Sequence, residues 1–448
     1  MNKLNFLIAD LPEDVNRTVY HGDFDKAMEL IDLYLERNIS PTLRDRLIFE
    51  KDRIRRLKED YIYDYDQALD LAKSEIRGLT DEEFVYLKDQ RYSDWIYING
   101  RVMFEGSFLG NIKKVNLEMK ERYKNPRKDD SEFLDGIIKK IIDKGEIKYL
   151  LHAKQGLKLK EEYIRQGEEI RVHLPIPNNA DQISDIKIIN TSHEPKFIPN
   201  EDYPQRTIYF QETLKDKGEF SVEYSFVNHI KYNNPSADNV SKQQPSFYTQ
   251  EHKPHIRFTP FLVDLAKFIV KDETNPLIKA RTIYDYITQN VQYTFVRQYG
   301  AITNIPEYAA YNLKGDCGVQ ALLFITLCRI VNVPARWQSG LVIEPEFIGS
   351  HDWAQFYVEP YGWLFADLSY GGSAYHKGSQ LRWNYYFGNL DPFRMVANTE
   401  FHYDFYPEKK FLRHDPYDNQ DGELEYKDRP LERKEYLVNK KIVQVKEI

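Results

Sequence analysis

The chain has 448 residues, 42% hydrophobic and 29% charged, enough for a packed core and without the bias of a disordered polymer. Its formal net charge of −8 comes from interspersed acids and bases with no basic stripe, which argues against a nucleic-acid partner. Cys317 and Cys328 are its only cysteines, so a disulfide framework and a thiolate zinc cluster are both excluded.

Met1–Leu11 lacks the apolar core and small-residue cleavage site of a signal peptide, and no stretch approaches the roughly 18 apolar residues of a membrane span. The chain is therefore expected to be cytoplasmic as it stands, secreted only if a leader has been removed, and not inserted in a membrane. From Asp23 to Lys144 the pattern is mostly helical, with Ala27, Leu30, Ile31, Leu33 and Leu35 forming one stripe and Ala68, Leu69, Leu71 and Ala72 opening another. The basic run Lys51–Lys58 alternates with Glu50, Asp52 and Glu59 and reads as a solvated helix face. Asn99-Gly100, flanked by Trp95–Ile98 and Val102–Phe104, is a strong hairpin signal. Residues 1–150 are thus expected to form a helical domain carrying a small β-hairpin.

Between Glu168 and Tyr232 the period changes to two, with Ile170-Val172-Leu174, Ile186-Ile188, Ile208-Phe210 and Phe220-Val222-Tyr224 alternating with polar partners. This predicts a β-sandwich-like domain at 165–232. The Asn-, Ser-, Gln- and Pro-rich stretch Asn233–Pro254 reads as a linker. Helices are expected near Pro260–Lys271 and Pro276–Asn290, the second with Pro276 in its first turn, and then a strand at Val291–Phe295.

Gly315-Asp316-Cys317-Gly318 opens an apolar run to Val331, which Asn332 and Pro334 stop. The pattern predicts a buried helix with Asp316 near its cap and Cys317 in its first turn. A thiol there faces unpaired N–H groups and the positive end of the helix dipole, which favour thiolate over the ordinary value of about 8.5. Cys328, amid Leu327 and Ile330, reads as core. Taken alone, Cys317 reads first as a buried structural thiol, because cysteine is commonly buried, and only then as a nucleophile.

Ser350–Leu368 contains strand-like runs around Pro360-Tyr361-Gly362, an antiparallel hairpin by pattern. Centred on that turn, Trp353 falls opposite Asp367, with His351 on the same face and diagonal to it. An imidazole and a carboxylate able to orient it therefore come from one sheet, and a helix packed on that sheet would bring Cys317 near.

Gly-Asp-Cys-Gly at 315–318, Val-Pro-Ala-Arg at 333–336 with Gly340, His-Asp-Trp-Ala at 351–354 and Gly-Trp-Leu-Phe-Ala-Asp at 362–367 together resemble the core of the transglutaminase-like superfamily. The resemblance covers about Pro260 to Tyr370. It implies a papain-like core that with a C-terminal extension occupies 255–448 of an α+β chain, with Cys317 as nucleophile, His351 as base and Asp367 as orienter of a catalytic triad, and with no metal or organic cofactor. Tyr386–Arg394 also looks like bacterial multidomain members of that superfamily. Gln355 departs from the acidic residue many members carry there. Tyr293, Gln292 and Trp353 are candidates for oxyanion or substrate contacts, though core packing is the competing reading of Tyr293 and Trp353. Arg336 is expected in an internal salt bridge ahead of a substrate carboxylate.

The expected function is cleavage or exchange of an amide or peptide bond through a cysteine thioester, hydrolysis ahead of cross-linking, on peptide, protein or peptidoglycan-stem substrates. The alternative is a catalytically idle module that binds a peptide or glycan.

Overall fold

The computed structural model describes residues 4–123, 131–215 and 217–448 and is mixed α and β. It divides into two compact units: Met1–Asp129 with His252–Arg257 and Val291–Asp316, and Asp130–Glu251 with Phe258–Asn290 and Cys317–Ile448.

The first unit is chiefly helical. Its longest helix, Pro41–Asp60, starts where Ser40 Oγ accepts the Leu43 N–H and Pro41 occupies the first turn. The hairpin pairs Trp95–Ile98 with Arg101–Glu105, and Asn99 (φ 48°) and Gly100 (φ 80°) supply the left-handed turn that the twist of the strands requires. A third strand, Tyr61–Asp64, adds to its free edge. One expectation holds only in part in this unit: Lys58 and Glu59 of the charged run are exposed, but two of its charges are not. Glu50 is fully buried between Arg46 (2.8 Å) and Arg53, and Arg56 is buried against Asp52 at 2.6 Å. Burial pushes the Glu50 carboxyl up, but Arg53 and Arg46 outweigh it and hold it below its ordinary value. The strand expected at Val291–Phe295 shrinks to Gln292–Tyr293, because its parallel partner Lys314–Gly315 is equally short.

In the second unit the helices Pro260–Val270 and Pro276–Asn290 precede the helix Cys317–Ile330, in which every residue from Gly318 to Arg329 is buried. That helix packs on the strand Phe347–Val358, where Phe324 meets Phe356 with ring centroids 5.9 Å apart. The strand is central to an antiparallel five-stranded sheet whose order runs Phe387–Gly388, Gly362–Ala366, Phe347–Val358, Ala335–Glu344, Arg394–Asn398. Gly340 fits a close approach: a Cβ on it would run into the Met395 carbonyl oxygen of the neighbouring strand.

The same unit holds a four-stranded and a three-stranded antiparallel sheet. The first is built on Glu146–Leu159, whose period-two burial of Ile147, Tyr149, Leu151 and Ala153 lies ahead of where the sequence pattern places the β region. The C-terminal strand Tyr436–Glu447 pairs with it, and Glu423–Tyr426 pairs with Glu169–Pro175. Residues late in the chain thus complete sheets begun early in it.

Candidate active site

His351 and Asp367 meet as the hairpin register requires. Val358 pairs with Gly362 and Ala354 with Ala366, so one further step sets Trp353 against Asp367 and His351 beyond it on that face. His351 Nε2 lies 2.8 Å from Asp367 Oδ2, and both side chains are buried. Asp367 also caps the next helix, Leu368–His376, its Oδ1 accepting the Tyr370 N–H at 3.0 Å.

A buried carboxylate needs partners to remain charged. Burial raises the Asp367 carboxyl, yet His351 and Arg394 more than offset it and the group is held below its ordinary value. Arg394 Nη2 stands 3.0 Å from Asp367 Oδ2 and 2.5 Å from Asp391 Oδ2, and it is fully buried. Ionised Asp367 can only accept hydrogen bonds, which assigns the proton between the two groups to His351 Nε2 and leaves Nδ1 as the ring nitrogen turned away from the carboxylate. Trp353 and Tyr370 wall that ring, with centroids at 6.0 and 4.9 Å.

Cys317 opens its helix, where first-turn N–H groups have no acceptor within the helix. Its side chain is partly exposed, whereas Cys328 is buried and its thiol is pushed well above the ordinary value by desolvation. Cys317 Sγ donates to Asp352 Oδ2 at 3.2 Å, so the sulfur touches the residue next to His351. Asp352 Oδ1 accepts from Gln420 Nε2 at 2.6 Å, and the same amide reaches the His351 carbonyl at 3.0 Å.

The remaining candidates have other surroundings. Trp353 is fully buried and its indole N–H donates to Gln338 Oε1 at 2.8 Å, which places it in the core. Gln292 and Tyr293 form the short strand of the first unit, where Lys114 Nζ sits 4.1 Å from the Tyr293 ring centroid. Arg336 has the internal bridge, to Asp181 at 2.7 Å, and its Nε donates to Gln355 Oε1 at 2.7 Å, which gives the unusual glutamine a partner. Arg394, Asp391, Asp352 and Gln420 carry no role in the sequence reading. The signals for them were His-Asp-Trp-Ala at 351–354, which contains Asp352, and Asp391-Pro392-Phe393-Arg394, an acid and a base set in an apolar stretch. Among the described residues no group of His, Cys, Asp and Glu could hold a metal ion, and no helix is long and apolar enough to cross a membrane.

Residues 263–368 match the family model of the transglutaminase-like superfamily, and the interval spans Cys317, His351 and Asp367. The chain carries a transglutaminase-like core. Among solved structures, a candidate cysteine protease from Cytophaga hutchinsonii is 15% identical to it, with 68% of this chain covering 90% of that one at a TM-score of 0.36. The periplasmic domain of TgpA from Pseudomonas aeruginosa is 12% identical, 55% of this chain covering 96% of that domain at a TM-score of 0.30. No curated protein matches the sequence. Within the transglutaminase-like core, then, the imidazole and carboxylate are joined, a buried arginine anchors the carboxylate, and the thiol lies beside the adjoining aspartate.

Proposed function

We propose that the chain is a thiol-dependent acyl-transfer enzyme in which Cys317 attacks an amide or peptide carbonyl. The observation that carries this reading is the buried His351–Asp367–Arg394 chain, whose histidine lies on the strand against which the Cys317 helix packs. His351 Nδ1 takes the thiol proton as the sulfur adds to the carbonyl carbon, and the ionised Asp367 faces the resulting imidazolium. First-turn N–H groups of the Cys317 helix are suited to the oxyanion. His351 then returns the proton to the departing amine, leaving a thioester that water hydrolyses to an acid or a second amine converts to a new amide. Hydrolysis is the preferred outcome, water being the default acyl acceptor, and peptides, proteins or peptidoglycan stems are the proposed substrates.

Incubating the protein with a glutaminyl peptide, with and without a labelled amine, distinguishes the products by mass. Turnover that is lost in Cys317→Ala supports the reading, and turnover that survives that substitution refutes it. The Cys317–Asp352 contact also favours a second reading, a binding module with an idle thiol, because a carboxylate beside sulfur opposes its ionisation. Rapid iodoacetamide alkylation of Cys317 at neutral pH, with Cys328 unmodified, counts against that module.

A further inference from the structure

A cavity of about 50 Å³ lies within the first compact unit, and every residue that lines it belongs to that unit. Three of those residues are cations, Arg91, Arg297 and Lys314, and one is an acid, Asp94. The acid is already engaged: Asp94 accepts from Arg297 Nη2 at 3.0 and 3.1 Å and from the Tyr61 hydroxyl at 2.5 Å. Asp316, whose charge also reaches the lining Tyr308, accepts the Tyr299 hydroxyl at 2.7 Å and is not part of the wall. Three cations against one carboxylate leave two positive charges in excess. The exposed Lys114 adds another near the rim, its Nζ 3.6 Å from the ring centroid of the lining Phe295.

The hydrogen-bond donors of the wall are not used up. Ser93 is 1% exposed, and its Oγ has no hydrogen-bond partner among the described residues. Arg297 Nε is likewise buried and unpartnered among them. A buried donor left unmatched is costly, and two at one cavity call for a shared acceptor. Lys314 Nζ donates to the Gln90 and Arg91 carbonyl oxygens, which leaves one of its three N–H groups over. Burial lowers the Lys314 ammonium to about 8, and the pull of Asp94 does not make up the difference.

At roughly 10–15 Å³ for each water-sized position, the cavity has room for about four, the number of oxygens in a phosphate group. Such a group carries about −1.5 to −2 charges near pH 7, which matches the excess at the wall better than a single carboxylate does. We propose that this cavity is a binding site for a phosphate group, with Lys314 and Arg91 supplying the opposing charge and Ser93 Oγ and Arg297 Nε supplying hydrogen bonds. Phosphate binding there does not depend on the acyl-transfer reading.

Isothermal titration of the full chain with inorganic phosphate, methyl phosphate and acetate is the test. One phosphate per chain is expected to bind, and acetate about tenfold more weakly or worse. Lys314→Met should weaken phosphate about tenfold or more, and Ser93→Ala about threefold or more. Equal binding of methyl phosphate assigns the site to phosphate esters, and binding of inorganic phosphate alone assigns it to the free ion; both support the site. No binding below about 10 mM phosphate, equal binding of acetate, or unchanged affinity in either variant overturns it and leaves a cavity that holds water only. Ser93→Ala has a second readout. Removing an unmatched hydroxyl should leave the thermal midpoint in phosphate-free buffer unchanged or higher, while added phosphate raises that midpoint less than in the unaltered protein. A fall in the phosphate-free midpoint would show the hydroxyl already matched within the protein and counts against the site. If Lys314→Met does not fold, the unaltered chain decides: phosphate should slow acetylation of Lys314 by an activated ester, read by mass, and leave that of the exposed Lys187 as it was. Equal Lys314 rates with and without phosphate overturn the site.

Discussion

Arg394 Nη2 lies 3.0 Å from Asp367 Oδ2, the same oxygen that His351 Nε2 approaches at 2.8 Å. The carboxylate that orients the histidine is therefore held by a cation from the opposite edge strand of the sheet, and that cation is held in turn by Asp391. Proton transfer to His351 would leave two positive and two negative groups in alternation, each next to its opposite.

Replacing Arg394 by methionine removes the shared partner of two buried carboxylates. Breaking a buried pair from one side typically costs about 3–5 kcal/mol, so a substantial fall in thermal midpoint is expected. Asp367 should also become easier to protonate, which loosens the imidazole and lowers turnover further than the loss of stability explains. Arg394→Met combined with Asp391→Asn should regain part of the stability but none of the activity; recovery of both would contradict the anchoring role.

Gly340→Ala tests the same anchor from the backbone. The added methyl meets the Met395 carbonyl oxygen, and Gly340 is the register partner of His351. Overpacking of this kind costs about 1–3 kcal/mol. Because the displaced strand is the one that begins with Arg394, the variant should lose activity along with its midpoint. Calorimetry and the peptide assay together check this, and unaltered activity would show that the strand can yield without moving Arg394.

The His351–Asp367 hairpin was legible in the sequence because it is local: turn chemistry fixes the register, and the register fixes which side chains share a face. The Cys317 helix was legible for a related reason, its apolar run being bounded by glycine before and by Asn332 and Pro334 after. Arg394 and Gln420 were hidden because their meaning lies in contacts with residues far away along the chain. The strand Glu146–Leu159 was obscured by its own register partner at the C-terminus, since a long strand is recognised more easily when its neighbour follows it directly. The charge run at Lys51–Lys58 misled in part, at Glu50 and Arg56, because alternation of sign looks alike on a solvated face and in a buried network.

Trp353→Phe separates a packing role from a substrate role. Phenylalanine retains an apolar ring beside His351 but loses the donor to Gln338 Oε1, an oxygen that also accepts from Gln182 Nε2 at 3.0 Å. With one acceptor still partly satisfied, the loss should be about 1–2 kcal/mol of stability. KM for the glutaminyl peptide should be unchanged; a marked rise in KM at constant kcat would return Trp353 to the substrate site.

The pH dependence of stability has a shape that three buried groups predict. His173 is hydrogen-bonded to Thr207 Oγ1 at 2.8 Å, and burial, then Lys409, depresses its pKa to about 3. The unfolded value is about 6.5, so the neutral histidine contributes stability that is fully present above about pH 6.5 and is lost as pH falls toward 3. Asp415 runs the other way. Raised to about 7 by burial and by Asp418, it stabilises the fold below the unfolded value of about 3.9, and that contribution fades as pH rises toward 7. Between about pH 6.5 and 4 the two slopes, each about 1.4 kcal/mol per pH unit, oppose one another. Below that range Asp415 has no more to gain, while Glu423, which burial raises but Lys409 and Arg413 bring down to about 2, begins to lose its own contribution. Urea unfolding across pH should therefore show little net slope from these groups near pH 5 and a steep fall below about pH 4. In Asp415→Asn the decline should begin near pH 6.5, and in His173→Gln stability should rise on acidification from pH 7 to 4, because in each variant one of the two opposing slopes is gone.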